Sequence, residues 1–389
     1  MNRNRLILIF GYFLLNLVFG TGCWDSRELD ELAIISGIGV DKEGDKFNLS
    51  FQIINPTGLK GGEGGGNQGS GGGGTEPFVI AQSTGRTIFD AVENVRNQIE
   101  RIPFFSHNEV IVLGRQLAEE GIYPGVDFFL RSPQPRPTQW VLIGSEKAGD
   151  ILRPKAEMED TSARALKLLV DFGRQSWVPA INLEEVNAAM TQKRGAYLIP
   201  IVRVQGDKGK LFLDGSAAVM KRDKMVGEVN PGESRGLKWM KGEIRNAVVV
   251  SELPNQQGLV STRIFLNRGS IKVNLTPEGI PRVNVYVYVE GEIEDMSGKF
   301  NLTSTPGMDL VKKQVALAIK KEIQSAFQKA RSLNADFINI GRILYQNHPQ
   351  VWEDMEHKWD EIFPEIRAHV TVGVSIWRVG EVSKPAISE

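Results

Sequence analysis

A chain of 389 residues with one cysteine, Cys23, has no internal disulfide to draw on, so apolar cores alone must hold its domains. Histidine is nearly as scarce. His107, His348, His357 and His369 lie far apart, and none has a second ligand four residues on with a glutamate between, which excludes the zinc-peptidase helix. His107 follows the Phe104-Phe105 pair and reads as a hydrogen-bonded structural residue, while His369 alternates onto the polar side of the last apolar run. No Gly-x-Ser-x-Gly elbow is present. Glu28, Glu31 and Asp41 cluster near the start, but at spacings common on solvated surfaces. An excess of one charge is missing too. Forty-six basic and 47 acidic residues leave a net charge of −1, which gives no reason to expect nucleic acid as a partner. The expectation is a protein without catalytic, cofactor-binding or metal-binding residues.

What is present begins with one apolar run. Arg3 and Arg5 precede Leu6–Phe19, and the small residues Thr21-Gly22 lead into Cys23, the three parts of a secretory signal. The run is marginal for a membrane span, which needs about 20 residues, and the polar Trp24-Asp25-Ser26-Arg27-Glu28 follows at once. Residues 1–22 therefore read as a lipoprotein signal peptide, with Cys23 as the lipid attachment site. Gly20 stands where such signals usually carry leucine. Two or three acyl chains would give stable anchoring, at about 0.8 kcal/mol per buried methylene.

The mature chain is long enough for two or three domains, and its texture changes twice. Residues 23–195 read as an α/β domain. Ala33–Val40 and Lys46–Ile54 form a hairpin pattern, and Asn108–Leu113 and Gln139–Gly144 are strand-like. Arg86–Arg101 carries Ile88, Val92, Val95 and Ile99 on one helix face, with Thr84 as its expected cap. Helices are also expected at 123–131, 161–172 and 183–191, the last opened by the Asn182/Glu185 capping pattern. A glycine-rich loop at 58–74 lacks the Gly-Lys-Ser/Thr ending of a phosphate cradle and opens no helix, so it reads as flexible coil.

Residues 196–295 are expected to form a β-rich middle domain, with strands at 197–205, 211–221, 224–229, 247–251, 260–267, 270–275 and 282–293. Val283, Val285, Val287 and Val289 alternate there with polar or aromatic residues, which buries one sheet face. Residues 296–389 read as an α+β domain. Met308, Val311, Val315, Ala318, Ile319, Ala326, Ala330 and Leu333 mark one side of a long helix, and Lys312, Lys313, Lys320 and Lys321 mark a solvated face. Helices at 336–345 and 349–362 follow, with Trp352 and Trp359 seven residues apart as core residues, and Arg367–Arg378 closes the chain as a strand. The fold class expected is α+β: three mixed α/β domains, the middle one β-rich and the last built around one long helix with a sheet.

Gly22-Cys23-Trp24-Asp25, Arg27-Glu28-Leu29 and Ile38-Gly39-Val40-Asp41 together resemble the opening of the spore germination C subunits, the Ger(x)C lipoproteins of nutrient germinant receptors. The likeness continues through Phe105-Ser106-His107, Val110–Gly114, Asp127–Arg131 and Arg136. It returns in Ala335-Asp336-Phe337, His348-Pro349, Trp352, Trp359 and Val370–Arg378. The resemblance implies a non-enzymatic subunit, lipidated on Cys23, on the outer leaflet of the spore inner membrane. It also implies two integral membrane partners, a large A subunit and a transporter-like B subunit. The alternative left open by the residues is a solute-binding lipoprotein feeding a transporter, which would need two doubly wound halves closing over a hinged cleft.

Overall fold

The computed structural model describes residues 31–59, 76–192, 194–206, 209–254, 258–277, 279–297 and 305–379. The expected signal peptide, Cys23 and most of the glycine-rich loop lie outside these residues. The fold is α+β, with two sheets and a long helix near the C-terminus.

The first sheet has ten strands: β1 (Leu32–Glu43), β2 (Lys46–Ile54), β3 (Phe78–Gly85), β4 (Ile102–Phe104), β5 (Val110–Leu113), β6 (Trp140–Gly144), β7 (Ala196–Gln205), β8 (Lys210–Phe212), β9 (Ala217–Lys221) and β10 (Lys224–Val229). Its order is β10-β9-β7-β6-β5-β1-β2-β3, with β4 beside β1 and β8 beside β7. β1, β5, β6 and β7 run parallel at the centre, and the hairpin β1–β2 is antiparallel, as the sequence predicts. Central parallel strands are covered on both faces. On one side lie α1 (Ile88–Val95), α2 (Arg115–Glu120), α3 (Tyr123–Arg131) and α6 (Leu183–Met190); on the other lie α4 (Ala148–Leu152) and α5 (Ser162–Gly173). Asn182 and Glu185 form the expected capping box of α6. The cap of α1 is Thr87, whose hydroxyl accepts from the Asp90 amide at 3.1 Å, so the helix starts later than the Thr84 expectation and stops at Val95.

The sheet does not stop at residue 195, where the texture of the sequence changes. β7 pairs with β6 on one side and β9 on the other. Its residues alternate between two cores: Tyr197, Ile199 and Ile201 face the N-terminal core, and Ala196 and Leu198 face the C-terminal one. β9 repeats this division, with Ala218 and Met220 on the first side and Ala217 and Val219 on the second. Period-two alternation is normally a sign of one dry and one wet face; here both faces are dry.

The second sheet orders β11 (Ala247–Leu253), β12 (Gly258–Leu275), β13 (Pro281–Met296) and β14 (Ala368–Val379), with β14 parallel to β13. The expected break between 260–267 and 270–275 is absent, because β12 runs straight through Gly269. A side chain there would collide with the carbonyls of Trp239 and Met240, so the glycine marks a close approach and not a turn. Val283, Val285, Val287 and Val289 are buried as predicted, under α8 (Thr305–Ser332). α8 also buries Ile323 and Phe327, and Lys313 and Lys321 are exposed on its solvated side. This layer draws strands from both sides of residue 295, since β14 completes the sheet that β11–β13 begin.

Three of these helices were not expected, the short α2 and α4 and a longer one between the two sheets. α7 (Pro231–Lys241) has a full capping box, Asn230 with Glu233, and proline at its first position. It crosses α8 at Gly236, where any side chain would collide with the Glu322 carbonyl. The guanidinium of Arg235 forks onto the Glu322 carboxylate, with one bond of 2.9 Å, and the Trp239 indole N–H donates to the same carboxylate at 2.8 Å. Lys238 is also buried, and its ammonium donates to the Arg174 carbonyl after α5 at 2.6 Å; burial pushes its pKa down. The helix is thus pinned between the first sheet's helices and α8.

Candidate functional site

The only expected site residue, Cys23, lies outside the described residues. Among the described residues no three His, Cys, Asp or Glu side chains gather to hold a metal ion, and no helix is long and apolar enough to cross a membrane.

The motif residues are gathered into caps and packing contacts. Asp41, at the end of β1, accepts from the amides of Ala148 and Gly149 at 2.8 and 3.1 Å, and so caps α4 from across the sheet. Gly114 is required beside it, since a side chain there would overlap the Asp41 carboxylate. Burial raises the Asp41 pKa, and the two amides oppose that shift. Of the other early carboxylates, Glu31 is exposed and Glu28 lies outside the described residues. Asp127 pairs with Arg131 at 2.8 Å one helical turn away on α3. His107 differs from expectation. It is exposed and tilts against Phe104 with ring centroids 5.8 Å apart, so an aromatic contact, and not a buried hydrogen bond, holds it. His357 and His369 are exposed and His348 half-buried.

The closing motif builds a second knot. Asp336 is buried and accepts from the amides of Ile340 and Gly341 at 2.9 and 2.8 Å, capping α9 (Ile340–Asn347). Trp352 on α10 (Pro349–Glu356) and Trp359 on α11 (Trp359–Ile362) are core residues as predicted, in an edge-to-face pair 4.9 Å between centroids. The turn between them divides the single helix expected over 349–362. This knot is tied to the first sheet. Asp360 receives Arg194 at 2.6 Å and the β9 residue Lys221 at 2.7 Å, and the Ala196 amide donates to the Asp336 carbonyl at 3.2 Å. The lysine contact, seconded by Arg194, holds the Asp360 carboxyl below the usual range.

A cleft of about 710 Å³ opens over this seam, lined by Gln192, Arg194, Asn339, Arg342, Tyr345 and Trp352 among others. A second, of about 610 Å³, lies between Trp177, Phe212, Pro231 and Val248. Neither contains a nucleophile aligned with a base, which is what an acyl- or phosphoryl-transfer site requires.

Burial pushes the Asp336 carboxyl up to about 6, against the opposing Gly341 and Ile340 amides. An acid raised in the folded state above its unfolded value of about 3.9 binds the extra proton only when folded. Its contribution is therefore complete below about pH 4 and is lost as pH rises through 6, by about 3 kcal/mol in all. Asp336→Asn should remove that slope. Urea unfolding at pH 4 and pH 7.5 checks it: the wild-type minus variant stability should fall by about 3 kcal/mol at the higher pH. Equal differences at the two pH values would show that Asp336 keeps an ordinary pKa.

The comparisons with known proteins cover nearly the whole chain. A family model described as the spore germination protein N-terminal domain matches residues 25–204, and one described as spore germination B3/GerAC like, C-terminal, matches 214–380. Spore germination protein KC of Bacillus subtilis (strain 168) is 28% identical over 405 residues, covering 98% of each chain. Spore germination protein B3 of the same organism is 24% identical, over 93% of this chain and 95% of its own. The crystal structure of the GerBC protein shares the fold at a TM-score of 0.58 and 18% identity, covering 91% of this chain and all of that one. The first matched model ends in β7 and the second begins just before β9, the two strands on which the two cores meet. From its first sheet to its last strand, this chain belongs to the Ger(x)C family of spore germination proteins.

Proposed function

We propose that the protein is a non-enzymatic C subunit of a nutrient germinant receptor, held on the outer leaflet of the spore inner membrane by lipid on Cys23. In that position it works through protein contacts with the integral membrane A and B subunits. The observation that carries the reading is the end-to-end similarity to proteins named for spore germination, 98% of each chain in one case. The structure adds chemical sense to it. The motif residues Asp41, Gly114, Asp336, Trp352 and Trp359 are occupied in capping and packing, so what the protein offers a partner is surface.

The solute-binding alternative calls for two doubly wound halves on a hinge. The C-terminal half here is a mainly antiparallel sheet under one long helix, and the sheet of the N-terminal half runs on into its core. No observation favours that reading.

The test is nutrient germination of spores lacking the gene, with and without complementation. Loss of response to one nutrient set, restored by the wild-type gene, is the expected result. A null strain that also lacks the paralogous subunits and still germinates normally toward every nutrient would overturn the assignment.

A further inference from the structure

We propose that the open face of the second sheet, over the half nearest the β12–β13 turn, lies on an anionic phospholipid surface. This rests on the reading of Cys23 as lipidated. Val283, Val285, Val287 and Val289 turn inward under α8, so Arg282, Tyr286 and Tyr288 turn outward. β12 sets Arg268 beside Tyr288, and Lys272 one row beyond Tyr286 toward the turn. The Val283 amide donates to the Arg367 carbonyl at 3.2 Å, which continues the β13–β14 register and stands Arg367 beside Arg282. All four cations are exposed, and among the described residues no carboxylate lies within ion-pair distance of any of them. From the Tyr288 row to the Arg282 row, the outward positions of the three strands hold no acidic residue.

Like charges side by side on neighbouring strands repel, and Arg282 and Arg367 have no anion between them to share. Lys272 lies over the Tyr286 ring, 5.8 Å from its centroid, which holds the ammonium out on the face. Glu290 in the next row and Glu365 before β14 border the patch without pairing to it, and Glu278 in the β12–β13 turn lies outside the described residues. A bilayer fits this patch better than an acidic protein does. Three strands by four rows span about 10 by 20 Å, well short of the roughly 800 Å² that each partner gives to a stable protein interface. Ile280 at the turn is 56% exposed, and Tyr286 and Tyr288 are 45% and 40% exposed. An apolar tip, tyrosines and cations side by side are the make-up of a surface at headgroup level. The tether supplies proximity: Cys23 and Glu31 are eight residues apart, at most about 28 Å. Contacts that are weak singly are then made at high effective concentration. Beyond Tyr288 the same face turns acidic, with Glu290, Glu292 and Glu294, which keeps that end off the headgroups.

The test uses the full chain, purified from membranes and reconstituted in vesicles of phosphatidylcholine alone or of phosphatidylcholine and phosphatidylglycerol in equal parts. Ser270→Cys, at an exposed position on this face, carries an NBD dye, whose emission rises when it leaves water. Lipid occupies the Cys23 thiol, so the dye has one site. Emission should be several-fold higher with phosphatidylglycerol than without it, and Arg282→Glu with Arg367→Glu should abolish the difference. Dye on Phe172→Cys, exposed on α5, should show none. Equal emission from the two vesicle types or a rise indifferent to the glutamates would overturn the proposal. So would a rise seen only when the A and B subunits are added, which would give the face to a protein. Failure of the anchor is read separately, as loss of flotation with neutral vesicles and a free thiol at Cys23. A chain in that state should still float with the mixed vesicles and lose this with the two glutamates; no flotation there overturns the face as well.

Discussion

Trp239→Ala should destabilise the protein by about 3–5 kcal/mol, the cost typical of truncating a large buried aromatic. Total stabilities of single domains are only about 5–15 kcal/mol, so the variant should lose a large part of its folded margin. The size follows from where the ring sits. Trp239 is fully buried at the crossing of α7 and α8, and its indole N–H is one of the groups that hold the Glu322 carboxylate. Truncation opens a cavity and removes that donor, while Arg235 keeps the charge paired. Leaving a half-buried acceptor short of a partner adds to the packing loss. Urea unfolding gives the number, and Phe172→Ala provides the contrast. Phe172 is 73% exposed, so its loss should stay within about 0.5 kcal/mol. Equal effects at the two positions would mean that α7 is not the pin it is described to be.

Cys23→Ala should abolish lipid incorporation, a change from full to background labelling. The thiol of Cys23 is the only one the sequence offers as acceptor, since the chain has one cysteine. One acyl chain binds a membrane marginally, whereas two or three bind it durably, at about 0.8 kcal/mol for each buried methylene. Metabolic labelling with radioactive palmitate, followed on a gel, reads the loss directly. The variant should also migrate as a slower species that keeps residues 1–22, because lipoprotein cleavage depends on the modified cysteine. Complemented spores should then respond poorly to nutrient. Undiminished labelling of the variant would place the lipid elsewhere and remove the proposed anchor.

Much of the fold was legible where a local rule coincides with the tertiary environment. The hairpin β1–β2, the Asn182/Glu185 box and the valine ladder of β13 satisfy both. The sequence misled where the environment was unusual. α7 has a readable start, Asn230-Pro231-Gly232-Glu233, but no amphipathic stripe, because Glu233, Gly236, Lys238 and Trp239 are all buried. A helix enclosed on most sides loses the periodicity by which helices are recognised. The expected break in β12 spans Gly269, a glycine whose reason is a neighbouring helix 30 residues earlier in the chain, which no local window contains. The likeness in the opening and closing motifs was visible, yet the function of those motifs as caps was not. Asp41 meets Ala148 only across the sheet, a separation that composition and spacing do not encode.

The shared strands β7 and β9 bear on how the protein tolerates change. A strand with one wet face can slip by one residue at the cost of exposing a single row of side chains. Here a slip would exchange Leu198 with Ile199 and Ala218 with Val219, spoiling the fit on both sides of the plate together. Register is therefore locked twice over, and a one-residue insertion between 196 and 202 would damage both halves of the molecule. The halves are joined through a rigid common wall, so a force applied to the C-terminal layer is delivered to the N-terminal sheet without a pivot to absorb it.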